Sequence, residues 1–193
     1  MDRAPFAFGA KADLLMSIDS LAALVRTIPD FPKPGIQFRD ITTLLADGAG
    51  LREMVDRMAT IGRPLDPDLI IGIEARGFIL GAALALTLGV GFVPVRKAGK
   101  LPGRTVGIDY SLEYGADRLE MHEGQVTPGA RVLLVDDLIA TGGTALAAAQ
   151  LLREQGASVL MALFAVDLPA LGGMAALSAD GIAARAILEF EGD

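Results

Sequence analysis

Thirteen consecutive residues, Val132-Leu-Leu-Val-Asp-Asp-Leu-Ile-Ala-Thr-Gly-Gly-Thr144, limit what this chain can fold into more than any other stretch. The short, uninterrupted apolar run at their start predicts a strand buried on both faces, as in a parallel sheet. Two carboxylates, Asp136 and Asp137, follow at the strand's carboxyl end, then a loop of small residues and a helix start. A strand that enters a helix through Thr141-Gly-Gly-Thr144 gathers free backbone N–H groups and two hydroxyls at the positive end of a helix dipole, a cradle for phosphate. Glycine belongs there because a larger side chain blocks close approach to the backbone. Carboxylates only accept hydrogen bonds, so at the ligand-binding edge of an open α/β sheet they suit neutral sugar hydroxyls. Thr141 to Thr144 alone is equally compatible with an ordinary turn, but the whole string in one register is far harder to explain that way.

The rest of the chain alternates in the same manner. Apolar residues from Leu14 to Val25 recur at helical spacing and Pro29 stops them, which predicts a first helix over 14–28. Pro32, Pro34 and Gly35 make 30–35 an ordered loop, and Leu51, Met54, Val55, Met58 and Ile61 share one face of a second helix. Buried strands are predicted at Leu69 to Ile73, Phe92 to Val95, Arg131 to Val135 and Val159 to Val166, with helices at Gly77 to Leu88 and Gly143 to Gln155. Tyr110 to Leu112 and Arg118 to His122 read as a hairpin projecting from the sheet, and Ile187 to Phe190 as an added edge strand. The fold class is therefore α/β, a mostly parallel central sheet flanked by helices, and 193 residues suit a single domain.

Composition removes several function classes. A net charge of −7 and a pI near 4.7 argue against binding along a nucleic acid, which needs a broad basic surface. With no cysteine there is neither a disulfide framework nor a thiolate metal site, and the one histidine, His122, alternates with apolar neighbours as a structural residue does. A reducing cytoplasm fits. The start of the chain, 1–11, reads as a partly ordered extension without a secretory signal. The charge-free run between Arg76 and Arg96 is long enough to span a bilayer, but Gly81, Gly89, Gly91 and Pro94 divide it into a helix and a strand.

The Val132 to Thr144 string resembles the signature with which type I phosphoribosyltransferases hold phosphoribosyl pyrophosphate (PRPP). The resemblance implies that Ala140, Thr141, Gly142, Gly143 and Thr144 hold the ribose 5-phosphate, and Asp136 and Asp137 the ribose 2- and 3-hydroxyls. Beside that signature Glu74, Ala75, Arg76 and Gly77, a weak motif alone, match the loop that binds pyrophosphate through backbone N–H groups and an arginine. Arg96, Lys97, Lys100 and Arg104 concentrate positive charge with no acid among them. Such a stretch is commonly a solvated loop, but its two glycines and proline suit a flexible one that closes over a polyphosphate. RKxGKLPG followed by Tyr110-Ser-Leu-Glu-Tyr-Gly115 is similar to the adenine phosphoribosyltransferase family, as is the proline-rich stretch from Ile28 to Thr42. By that resemblance residues 28–45 form a hood over the base. In it Phe38 stacks on adenine, main-chain groups at Gln37 read its polar edge and Arg39 lies nearby, while Leu168 covers the opposite face. Gln37 departs from the aliphatic residue of the family pattern, a change that a backbone contact tolerates.

The implied reaction moves the phosphoribosyl group from PRPP to N9 of adenine, giving AMP and pyrophosphate. Mg²⁺ is implied, held mainly by the oxygens of PRPP with no direct protein ligand, and Glu113 matches the glutamate proposed for proton transfer at N9. Tyr110 and Tyr114 belong to the flexible segment, and a homodimer is implied by the family. Two rivals stay open: transfer to a 6-oxopurine, which the Phe38 hood argues against, and a PRPP-sensing regulator, which typically adds a basic DNA-binding module not found here.

Overall fold

The computed structural model describes residues 16–112 and 115–192. Five short apolar segments become the parallel part of its main sheet: β3 (Leu69–Ile73), β4 (Gly91–Lys97), β7 (Arg131–Ile139), β8 (Ser158–Asp167) and β9 (Ala184–Glu189). A hairpin of β5 (Thr105–Leu112) and β6 (Gly115–His122) extends it, giving the order β5-β6-β4-β3-β7-β8-β9. Successive residues of β7 go to opposite faces, as the strand's period of two demands. Val132 and Leu134 pack with α5 (Gly143–Glu154) and α6 (Gly173–Ala179), while Leu133 and Val135 pack against α1 (Ile18–Ala22), α2 (Thr42–Ala46), α3 (Gly48–Gly62) and α4 (Arg76–Leu88). All four of these valines and leucines are fully buried, which explains why the strand reads as a continuous apolar run.

Four expectations need correction. The predicted helix over 14–28 shrinks to α1. Ser17 Oγ caps it by accepting the Ser20 N–H at 3.1 Å, and after Val25 the chain extends as β1 (Arg26–Pro29). The β-branched Thr27 and Ile28 pair there with Arg39 and Phe38 of β2 (Gln37–Asp40), so partners from a separate strand override the helical pattern. Leu14 lies outside the described residues, as does the expected extension at 1–11. The strand predicted at Arg131 to Val135 runs on to Ile139, because pairing with β8 continues through Leu138↔Val166 and Ile139↔Asp167; Asp136 and Asp137 are thus inside β7. The hairpin does not project freely, since Arg96↔Glu120 and Lys97↔Leu119 join β6 to β4. The edge strand begins at Ala184, earlier than expected, and α2 and α6 were not foreseen.

Candidate active site

The carboxyl ends of four adjacent parallel strands meet at one edge of the sheet. Each delivers a segment: Glu74 to Gly77 after β3, Arg96 and Lys97 ending β4, Asp136 and Asp137 near the end of β7, and Leu168 after β8. Open α/β sheets bind ligands at this edge.

Only Ala140 to Gly142 separate β7 from α5. Gly142 has φ +86°, and a Cβ on it would stand 3.0 Å from the Gly173 carbonyl oxygen, so conformation and space both require glycine. No side chain caps α5, which leaves the N–H groups of its first turn to the cavity of about 120 Å³ lined by Asp136, Phe164 and residues 138–145. Gly173 is a support that the sequence motifs do not single out. Its N–H donates to the Ala140 carbonyl at 2.9 Å, and the Gly172-Gly173 pair shortly after β8 is the available signal.

Asp136 and Asp137 differ in their surroundings. Asp137 is buried, and its Oδ2 accepts the Arg76 Nε–H at 2.5 Å. Asp136 Oδ1 accepts the Asp137 N–H at 2.8 Å. Burial, and after it the charge of Asp137, push the Asp136 carboxyl well above the usual carboxylate range. Gly77 lets these groups meet, because a Cβ there would stand 2.8 Å from both Asp136 Oδ1 and the Val135 carbonyl. The Glu74–Ala75 peptide just before is cis.

Arg96 and Lys97 are each paired with an acid supplied from outside the motif. The Glu74 carboxylate accepts Arg96 Nε–H at 3.2 Å, Arg96 Nη2–H at 3.1 Å and the Lys97 N–H at 3.1 Å, and the Arg96 bonds hold it below its ordinary range. Lys97 Nζ lies 3.0 Å from Asp117, a contact that raises the lysine and lowers the aspartate. Lys100 is exposed. The Tyr110 hydroxyl donates to Asp117 at 3.4 Å and also faces Thr144, so the hairpin touches the phosphate loop; burial raises Tyr110. Glu113 and Tyr114 lie outside the described residues.

In the hood, Phe38 meets Phe31 edge-on at 5.2 Å, and the Arg76 guanidinium lies 6.0 Å from the Phe38 ring. Gln37 pairs with Pro29 in register. Arg39, expected near the base, turns to the other face of β2, as strand alternation requires, and reaches Thr27 and the Glu191 carbonyl. Asp40 is buried and accepts from Arg26 and from the Thr42 N–H. Burial opposes its ionisation, yet these bonds outweigh it and hold the carboxyl at about 2. Leu168 is buried, and its N–H donates to the Ile139 carbonyl at 3.1 Å, which fixes it beside the end of β7.

The loop that opens α5, Asp136, Asp137 and Arg76 thus meet at one strand edge, and the family model of the Phosphoribosyl transferase domain matches residues 44–171, so the chain carries a phosphoribosyltransferase domain. Adenine phosphoribosyltransferase of Sphingopyxis alaskensis is 62% identical over 90% of this chain and 94% of its own length. The crystal structure of the enzyme from Thermoanaerobacter pseudethanolicus superposes with a TM-score of 0.86 at 45% identity, covering 90% of this chain and all of that one. That of the Saccharomyces cerevisiae enzyme, complexed with adenine and an imino-altritol bisphosphate, has a TM-score of 0.83 at 36% identity, over 89% of this chain and 98% of that one. The chain belongs to the adenine phosphoribosyltransferase family.

Proposed function

We propose that this chain transfers the 5-phosphoribosyl group of PRPP to N9 of adenine, releasing pyrophosphate and giving AMP, as in purine salvage. The observation that carries this reading is the Ala140 to Thr144 cradle at the start of α5, directly after Asp136 and Asp137 on β7. The 5-phosphate takes the cradle, where N–H groups and the helix dipole favour an anion. Asp136 and Asp137 take the ribose hydroxyls. The bond from the anomeric carbon to the pyrophosphate oxygen breaks with its electron pair on oxygen, and N9 supplies the pair for the new bond. Carboxylates at the hydroxyls favour the positive charge that the sugar carries between these events, and Arg76, with Lys97 and Lys100 behind it, favours the negative charge on the leaving group. Lys97 exchanges Asp117 for phosphate oxygens on binding, since an ion pair so exposed is weak.

Phe38 and Leu168 hold the ring between them, and backbone groups at Gln37 read its 6-amino edge. The yeast relative, solved with adenine, supports adenine as the base. Glu113 receives the N9 proton. If Glu113→Gln leaves turnover of adenine and PRPP intact, that role is wrong.

Among the described residues no group of three or more His, Cys, Asp or Glu could cage a metal. Magnesium, by this reading, would come with PRPP and be held mainly by its oxygens. Bound there, magnesium would neutralise charge on the pyrophosphate. We place the protein in a reducing cytoplasm, on the absence of cysteine from its sequence, and read it as a homodimer. No helix among the described residues is long and apolar enough to cross a membrane.

Incubation with PRPP, Mg²⁺ and adenine, hypoxanthine, guanine or xanthine in competition tests the whole reading. AMP should be the product formed. Accumulation of a 6-oxopurine nucleotide instead would reassign the acceptor, and no nucleotide at all would sink the proposal.

A further inference from the structure

Arg39 directly follows Phe38 on β2, yet it does not face the site. Its Nη1–H donates to Thr27 Oγ1 at 2.5 Å, across the register pair Thr27↔Arg39, and ties the two hood strands to each other. Its Nη2–H donates to the Glu191 carbonyl at 2.7 Å. The guanidinium also lies 4.9 Å from the ring centroid of Phe190, close enough for a cation–π attraction. Arg39 Nε is buried without a partner, a cost that a side chain of this length would avoid by swinging outward unless its other contacts held it.

The far end of this contact is fixed as well. The Phe190 N–H donates to the Asp167 carbonyl at 3.1 Å, Asp167 pairs in register with Glu189, and the next residue of the chain is Leu168. A closed path therefore runs Phe38, Arg39, Phe190, Asp167, Leu168. Its two ends are the residues on either side of the proposed base slot.

We infer that Phe190 and the Glu191 carbonyl, acting through Arg39, form a clasp that sets the separation of Phe38 and Leu168, so that the segment after β9 positions the hood for adenine without touching it. The inference rests on the reading of Phe38 and Leu168 as the faces of the base slot. Phe190 is then a positioning residue. Loosening it weakens the hold on the base while leaving the phosphate cradle and the carboxylates of β7, on the other side of Leu168, as they are.

Phe190→Leu keeps apolar bulk but removes the ring face, and Phe190→Tyr keeps the ring face. Steady-state kinetics should show the leucine variant with a KM for adenine raised about fivefold and a KM for PRPP within about twofold of wild type, and the tyrosine variant near wild type for both. Amide hydrogen exchange over 37–40 should accelerate in the leucine variant alone. Equal rises in both KM values, or a leucine variant indistinguishable from wild type, would overturn the clasp. If the wild-type protein makes no AMP, the functional reading fails by itself. Exchange then decides the clasp: faster exchange at 37–40 in Phe190→Leu upholds it, and unchanged exchange removes it.

Discussion

Gly142 meets two demands at once, a positive φ and a carbonyl oxygen 3.0 Å from where a Cβ would go. Gly142→Ala should therefore cost about 1–2 kcal/mol in chemical denaturation and displace the loop from Gly173. If that loop is the phosphate cradle proposed above, kcat/KM for PRPP should fall about a hundredfold, far more than the stability loss explains. Asp136 offers the opposite trade. Burial and the Asp137 charge raise it, so folding favours its protonated form, and the stability it contributes declines as the pH rises from the ordinary carboxylate value toward the raised one. Asp136→Asn removes the buried charge and keeps an oxygen to accept the Asp137 N–H. The variant should be more stable than wild type at about pH 8, with the gain shrinking toward about pH 4 in denaturation curves, while its KM for PRPP rises about tenfold. A variant less stable than wild type at the higher pH would show that the carboxylate is better accommodated than its surroundings imply.

Among the elements, the β5–β6 hairpin is where a site residue leans on the phosphate loop. The Tyr110 hydroxyl faces Asp117 and Thr144, and Asp117 in turn pairs with Lys97. Tyr110→Phe removes that junction and little else, so kcat should drop about tenfold while thermal unfolding moves by no more than about 1 kcal/mol; unchanged kcat would mean the hydroxyl is only a surface contact. This hairpin also shows what could be read before folding. That two strands pair here was legible because alternation is a local signal, but their bounds were not: Gly115 to Asp117, expected in the turn, pair with 110–112 as part of β6, β5 starts at Thr105, and the union with β4 rests on Arg96↔Glu120, a pairing of distant residues. The same division runs through the site. Val132 to Thr144 carries strand, cradle and helix start within one short stretch, and its geometry was readable except for the last residues of β7, which extend because β8 supplies partners. Strand β1 was hidden under a helical pattern, and the partners of Arg96 and Lys97 were invisible in a motif that contains no acid, because Glu74 and Asp117 arrive from neighbouring strands. Arg39 was read as lying near the base because it matches an arginine of the family pattern, but only pairing of β1 with β2 decides which face it takes.

At the scale of the molecule, the ligand edge is polar and the face made by α3 and α4 is not. A groove of about 500 Å³ there is lined by Leu51, Val55, Ala83 and Leu86, and Leu86 is 85% exposed, an unusual position for a leucine at the lip of an apolar groove. Arg52 and Asp56 border the same groove. A surface that carries an apolar groove, a projecting leucine and one charge of each sign is self-complementary: a twofold axis through it would seat each Leu86 in the partner's groove and set Arg52 opposite Asp56. A chain of net charge −7 repels its own copies at long range, so the homodimer proposed above needs a local patch such as this one. Light scattering on the wild-type protein should give twice the 20.1 kDa of one chain. Leu86→Glu puts a charge where the apolar contact would form and should shift the mass to that of a single chain at micromolar concentration, with the far-ultraviolet spectrum unchanged because the residue is exposed in the fold. A dimer that survives Leu86→Glu would assign association to another face and leave this groove to a different occupant.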